Sequence, residues 1–139
     1  IPGPQADLLT TYQERLVEVA EKDAAYQYAL GQLYDQGLQL SDWDAVLGAL
    51  PPEVISVHDY ILCSFPGYAE DYIQECLTIL ATGYGVEATM HKLTLLEQAL
   101  GAEVELEQAR THLDSVTRRL TVSLRRKLAQ EEAGQQVLL

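Results

Sequence analysis

Apolar side chains recur every three or four positions through most of the chain, and two of these runs are long. The first steps through Leu9, Tyr12, Leu16, Val19, Tyr26, Leu30 and Leu33, with Asp23 at the one missed position. At 3.6 residues per turn this spacing keeps a narrow stripe on one side of a helix, and it predicts a helix over about 5–36. The IPGP start reads as a turn, since Pro2 and Pro4 lack amide donors and bias their predecessors to extended backbone. The second run follows Leu93, Leu96, Leu100, Leu106, Ala109, Leu113, Val116, Leu120, Leu124 and Leu128 with no proline to interrupt it. It predicts a helix over about 86–133, and about 45 residues would reach nearly 70 Å at 1.5 Å per residue.

Between these runs the pattern breaks into short pieces. Gly37 suits a helix end, and Ser41 stands where it can cap a short helix, with Asp44 favouring the positive end of its dipole. Pro51 and Pro52 stop that piece, and Pro52 suits the first turn of PEVISVHDYILC, whose Val54, Ile55, Val57, Ile61 and Leu62 cover enough of the circumference to predict burial. Pro66 and Gly67 side by side mark a corner. Tyr72, Ile73, Cys76, Leu77 and Leu80 then mark a further helix ending at Gly83 and Gly85. No segment alternates as a strand would. The expectation is an all-α fold in one domain: an elongated antiparallel helical bundle of two long helices, with a smaller helical lobe at about 41–83.

Composition agrees with a folded domain. A chain of 139 residues with 47% hydrophobic content buries roughly two-thirds of its unfolded surface without help from metal or disulfide. No apolar run approaches the roughly 18 residues of a membrane span. The first residue is Ile1 rather than Met, which is compatible with an internal start or a removed export signal. Charge alters the picture more. The net charge is −12, but three basic residues (Arg15, Lys22, Lys92) stand against eighteen acidic ones up to residue 109, and six against three afterwards. An acidic body repels a phosphate backbone, so nucleic acid is not an expected partner except through the basic tail.

Candidate chemistry is sparse. Cys63 and Cys76 flank the corner, and their spacing leaves three readings: a disulfide, two buried free thiols, or metal or catalytic use. In a simple antiparallel hairpin the two would differ in height by roughly 9 Å, more than a disulfide accepts, unless the corner is loose or the crossing steep. His58 lies five residues before Cys63, on a different face of one helix. Glu87 and His91 stand one turn apart, which suits half of a metal site or an exposed polar pair. Neither a catalytic residue nor a cofactor nor a metal is expected from these patterns. Off-stripe tyrosines are better candidates for contact: Tyr28 and Tyr34 on the first helix, and Phe65, Tyr68 and Tyr72 around the corner. Arg118, Arg119, Arg125 and Arg126, with Lys127, form a basic run. It suits a solvated face, a helix C-terminal end, an acidic first helix alongside, or an acidic partner or membrane surface.

The layout of Ile1-Pro2, a long first helix, ALPPEV (Ala49–Val54), FPGY (Phe65–Tyr68) and a final helix ending in EEAGQQ resembles the TraC-like and TrbJ-like minor pilin proteins of bacterial type IV secretion and conjugation systems. The resemblance implies export to the periplasm, a bundle of long helices with a smaller lobe, and a non-enzymatic role in a pilus or its stalk. Its partners would be other protein subunits of the secretion or pilus assembly, met during assembly or recipient-cell contact. The alternative is a cytosolic all-helical adaptor or regulatory subunit with the same architecture.

Overall fold

The computed structural model describes residues 3–138, with side chains described for residue 3 and residues 5–134. Ile1 and Pro2, expected in a turn, and Leu139 lie outside the described residues. Among the described residues the chain is all-α, with no strand. Its elements are α1 (Pro4–Asp35), a 3-10 turn (Leu40–Asp42), α2 (Trp43–Gly48), α3 (Pro52–Ser64), α4 (Glu70–Tyr84) and α5 (Glu87–Leu138). The helix α1 starts on Pro4 itself, which loses nothing there because the first helical amide has no partner in any case. Pro52 occupies the same position in α3.

The chain divides into two compact units, one formed by residues up to Gln27 with those from Ala102, the other by Tyr28–Gly101. In the first, α1 and α5 run antiparallel, as shown by Gln5 Nε2 donating to the Ser123 carbonyl at 3.3 Å, Lys22 Nζ to Glu105 at 3.3 Å and Tyr26 Oη to Glu103 at 3.2 Å. Leu106, Ala109 and Val116 of α5 are buried there. The α1 side of this seam is displaced from the expected stripe. Leu9 and Leu16 remain 47% and 42% exposed, whereas Leu8, Tyr12, Arg15, Val19, Lys22 and Tyr26 turn inward. The shared series 12, 19, 26 can be flanked on either side with the same period, and the flank through Leu8, Arg15 and Lys22 is the one used. It places Lys22 against Glu105 and gives Arg15 cover for its aliphatic stem.

In the second unit two buried clusters share the first turns of α5. Leu50, Val54, Leu77, Ala81, Met90 and Leu93 form one. Ala29, Leu33, Leu96 and Ala99 form the other, and Trp43 and Val46 pack against both. Fully burying a leucine such as Leu93 or Leu96 contributes about 2–3 kcal/mol, so the turns around Leu93–Ala99 hold the unit together. Two expectations fail here. Ser41 does not cap α2 but sits within the 3-10 turn, which is instead closed by the Gln39 amide donating to Asp42 Oδ2 at 2.8 Å. The helix α3 is not buried all round, since Val57, Tyr60 and Leu62 are exposed and only Val54 and His58 are enclosed.

Gly37 and Gly85 carry the positive φ values of 69° and 68° that stop α1 and α4. Both turns are closed by backbone bonds, Leu38 N to the Leu33 carbonyl at 2.8 Å and Val86 N to the Ala81 carbonyl at 3.0 Å. Gly83, expected at the helix end, is inside α4 with nothing within 4 Å of the place a Cβ would take. The two glycines should therefore respond oppositely to alanine. Gly85→Ala should destabilise by about 1 kcal/mol because Ala resists the left-handed region, and Gly83→Ala should stabilise by roughly 0.5–1 kcal/mol through helix propensity. Urea denaturation of both variants measures the pair.

Candidate functional site

Three places in the chain gather side chains with chemical character: the corner between α3 and α4, a polar pair inside the second unit, and the basic stretch of α5. The corner follows directly from sequence. Phe65, Pro66 and Gly67 interrupt the helical pattern, so α3 ends at Ser64 and α4 begins at Glu70. Phe65 has extended φ and its amide still bonds the Ile61 carbonyl, while Tyr68 N donates to the Phe65 carbonyl at 3.2 Å and closes the turn. Its rings form a continuous ladder. Tyr60 meets Phe65 edge to face at 6.2 Å between centroids, Phe65 meets Tyr68 edge to face at 5.1 Å, and Tyr68 lies tilted against Tyr72 at 5.0 Å. These are the favoured geometries for aromatic pairs.

The ladder faces solvent. Tyr60, Tyr68 and Tyr72 are 63%, 56% and 46% exposed, and Phe65 is half-buried between them. Aromatic rings held by one another lose little freedom on meeting a partner, which is the behaviour of a contact surface. Phe65, Tyr68 and Tyr72 were legible as candidates, whereas Tyr60 was missed. Its signal was available, since Tyr60 precedes Phe65 by little more than one helical turn. Tyr28 and Tyr34 are exposed on α1 at 70% and 83%, outside the ladder, and Tyr28 Oη accepts from Gln32 Nε2 at 3.2 Å.

The expected disulfide alternative is corrected. Cys63 and Cys76 are free thiols, and the expected burial fails as well, since the first is exposed and the second only half-buried. Cys63 is next to last in α3 while Cys76 stands nearly two turns into α4, so the height difference anticipated from the spacing is retained. Cys76 instead lies beside Tyr72 and pushes that phenol above its ordinary value. Glu87 and His91 do line one recess, of about 230 Å³, together with Gln74, Thr78 and Met90. Among the described residues no group of three or more His, Cys, Asp or Glu converges to hold a metal ion.

Among the described residues His58 is the one buried polar side chain, 3% exposed on the same face of α3 as Val54. Its Nε2 is 2.8 Å from Glu97 Oε1 of α5, and its Nδ1 is 3.5 Å from Asp59 Oδ1 without a hydrogen bond. The Glu97 hydrogen bond raises the His58 pKa, against desolvation that lowers it. Sequence reasoning missed this link because Glu97 is far away along the chain. The only available sign was a histidine four residues after Val54 and three before Ile61, in an otherwise apolar row.

The basic stretch is less paired than charge counting suggests. Arg118, Arg119, Arg126 and Lys127 line an open groove of about 590 Å³ with Leu8, Val122, Gln5, Ser123 and Gln130. Arg125 lies on the exposed helix surface outside it. Among the described residues none of these five cations makes an ion pair; the pairs of this unit are Arg15 with Glu18 at 2.7 Å, Lys22 with Glu105 at 3.3 Å and His112 with Glu18 at 3.8 Å. The reading of the basic run as a complement to the acidic first helix therefore fails. Residues Gln5 and Leu8 stand opposite it, and the α1 carboxylate Glu18 lies opposite His112 instead. No helix among the described residues is long and apolar enough to cross a membrane.

The His58–Glu97 pair has a definite pH signature. A folded pKa raised above 6.5 gives stability that is complete below pH about 6.5 and lost as pH rises through the folded value. The wild type should thus lose more thermal stability between pH 6 and pH 9 than His58→Gln, which keeps an amide donor toward Glu97 but cannot titrate. Equal slopes in the two melting series would remove the pair from the account. Comparison of the chain with protein-family models, with curated proteins and with solved structures found no match.

Proposed function

We propose that this chain is a non-catalytic docking subunit that acts by protein contact through the aromatic ladder at the α3–α4 corner. The observation that carries the reading is the ladder itself. Three tyrosines and a phenylalanine in mutual contact, three of the four substantially exposed, place a sizeable apolar area in water with no cover from the chain's own described residues. Such clusters of Tyr and Phe supply most of the energy at the centres of protein interfaces, where truncating one ring costs about 2 kcal/mol or more. The Tyr hydroxyls keep the surface soluble while the partner is absent.

The finer proposal gives the subunit a setting. The FPGY and ALPPEV stretches and the all-α architecture support a component of a bacterial secretion or conjugation apparatus in the cell envelope, with other subunits of that apparatus as partners. The ladder then takes the role of the contact that seats the subunit in its assembly, and the off-ladder Tyr28 and Tyr34 serve as secondary contacts.

A photo-reactive amino acid placed at Tyr68 tests this in living cells. Crosslinks to an envelope subunit are expected, and Tyr60→Ala with Tyr72→Ala in the same chain should reduce them roughly thirtyfold or more. The same probe at Thr111, exposed and far along α5, should give none of these adducts. Adducts that are unchanged by the alanines, or that form equally from Thr111, would remove the ladder from its role.

A further inference from the structure

Charge is divided within this chain in a way that neither unit resolves by itself. The unit Tyr28–Gly101 contains one basic residue, Lys92, and ten acidic ones. Next to the ladder in sequence stand Asp59, which precedes Tyr60 on α3, and Glu70, Asp71 and Glu75 on α4, all exposed. The other unit holds the five cations of 118–127, unpaired among the described residues. The two surfaces are complements: one is apolar rings edged with carboxylates, the other guanidinium groups around a half-apolar groove.

We propose that the cationic groove of α5 docks onto the aromatic corner of a second copy of this chain, head to tail. The inference rests on the corner being a contact surface and names what occupies it. Arginine suits this surface better than any other residue, because its guanidinium stacks on the face of a tyrosine while its N–H groups reach a flanking carboxylate. The spacing also matches. Arg118 and Arg126 stand two helical turns, about 12 Å, apart on α5 with Val122 between them, and two steps of the ladder, Phe65 to Tyr68 at 5.1 Å and Tyr68 to Tyr72 at 5.0 Å, cover a comparable length. Val122, 46% exposed, supplies the apolar contact between the two arginines. Such a contact is heterologous, since the surface given and the surface received differ, so copies either close into a ring or continue as an open chain.

Sedimentation of the purified chain over a wide concentration range is the test, with two variants. Arg118→Glu/Arg126→Glu breaks the giving surface, and Tyr68→Ser/Tyr72→Ser breaks the receiving one. All four positions are exposed, and circular dichroism checks that each variant keeps its helix content. The wild type should associate with rising concentration at low salt and revert toward monomer at about 0.5 M salt, where charges more than a few ångströms apart are screened. Each variant alone should be monomeric, with association weakened roughly thirtyfold or more. An equimolar mixture of the two should form a dimer and stop there, because one intact corner and one intact groove remain.

A wild type that stays monomeric at low salt overturns the proposal, as does self-association that survives either variant or a mixture that forms nothing. If the chain is monomeric while the Tyr68 crosslinks to another protein persist, the self-docking falls and the corner keeps its role. If both are lost, both readings fall.

Discussion

The packing of the short helices onto the first turns of α5 is the interaction on which the unit Tyr28–Gly101 depends. Helices the length of α2 and α3 are not stable alone in water, because the cost of nucleating a helix is recovered only by tertiary contact. Leu93 and Leu96, both with no exposure, give them that contact on two sides, toward Val54, Leu77 and Ala81 and toward Ala29 and Leu33. Inside this apolar surround His58 and Glu97 tie α3 to α5 at 2.8 Å. Removing Glu97 would leave the enclosed His58 Nε2 unpaired, which is more damaging than the modest net worth of the bond, whereas the carboxylate of Glu97 is partly open to water. The pair also fixes which way α3 is turned, and that in turn sends Val57, Tyr60 and Leu62 outward.

Exposure of the aromatic ladder follows from this orientation together with the corner. Pro66 and Gly67 force the chain out of helix between α3 and α4, and a corner of four or five residues cannot fold its own side chains beneath it. Phe65, Tyr68 and Tyr72 therefore meet at the outside of the bend, where Tyr60 reaches them from the preceding turn. The rings satisfy part of their apolar surface on one another and leave the rest open. A surface assembled in this way is ordered before any partner arrives, so docking carries little further entropic cost.

How much of this was legible in the sequence depends on whether the signal was local. Helix positions were, because Pro51, Pro52 and Pro66 and the glycines at 37 and 85 act on the backbone where they stand. The corner aromatics were legible for the same reason. The seam of α1 was half legible: positions 12, 19 and 26 belong to either stripe, and only the partner helix decides between Leu9 with Leu16 and Leu8 with Arg15. The failure at Ser41 has a local cause of another kind, since Asp42 one residue later closes a tighter turn on the Gln39 amide and displaces the cap. Partners remote in sequence were beyond reach. Nothing near His58 announces Glu97, and nothing near Arg118 announces that its counterpart across the seam is neutral.

Net charge by segment is a poor guide to pairing. An acidic first helix and a basic last helix invite the conclusion that they neutralise each other along their length. Pairing, however, is decided at each height of the antiparallel seam. Gln5 meets Ser123, Glu18 meets His112 and Lys22 meets Glu105, so the acidic turns of α1 lie opposite residues around 105–116, and the cations of 118–127 lie opposite its uncharged Gln5 and Leu8. Sliding α5 by two turns would bring the charges together, but it would also withdraw Leu106, Ala109 and Val116 from their buried positions. Exposed ion pairs contribute about 0–1 kcal/mol each, whereas burying a leucine or valine contributes about 1.5–3 kcal/mol. The apolar seam sets the register, and the cations of 118–127 are left without an ion pair among the described residues.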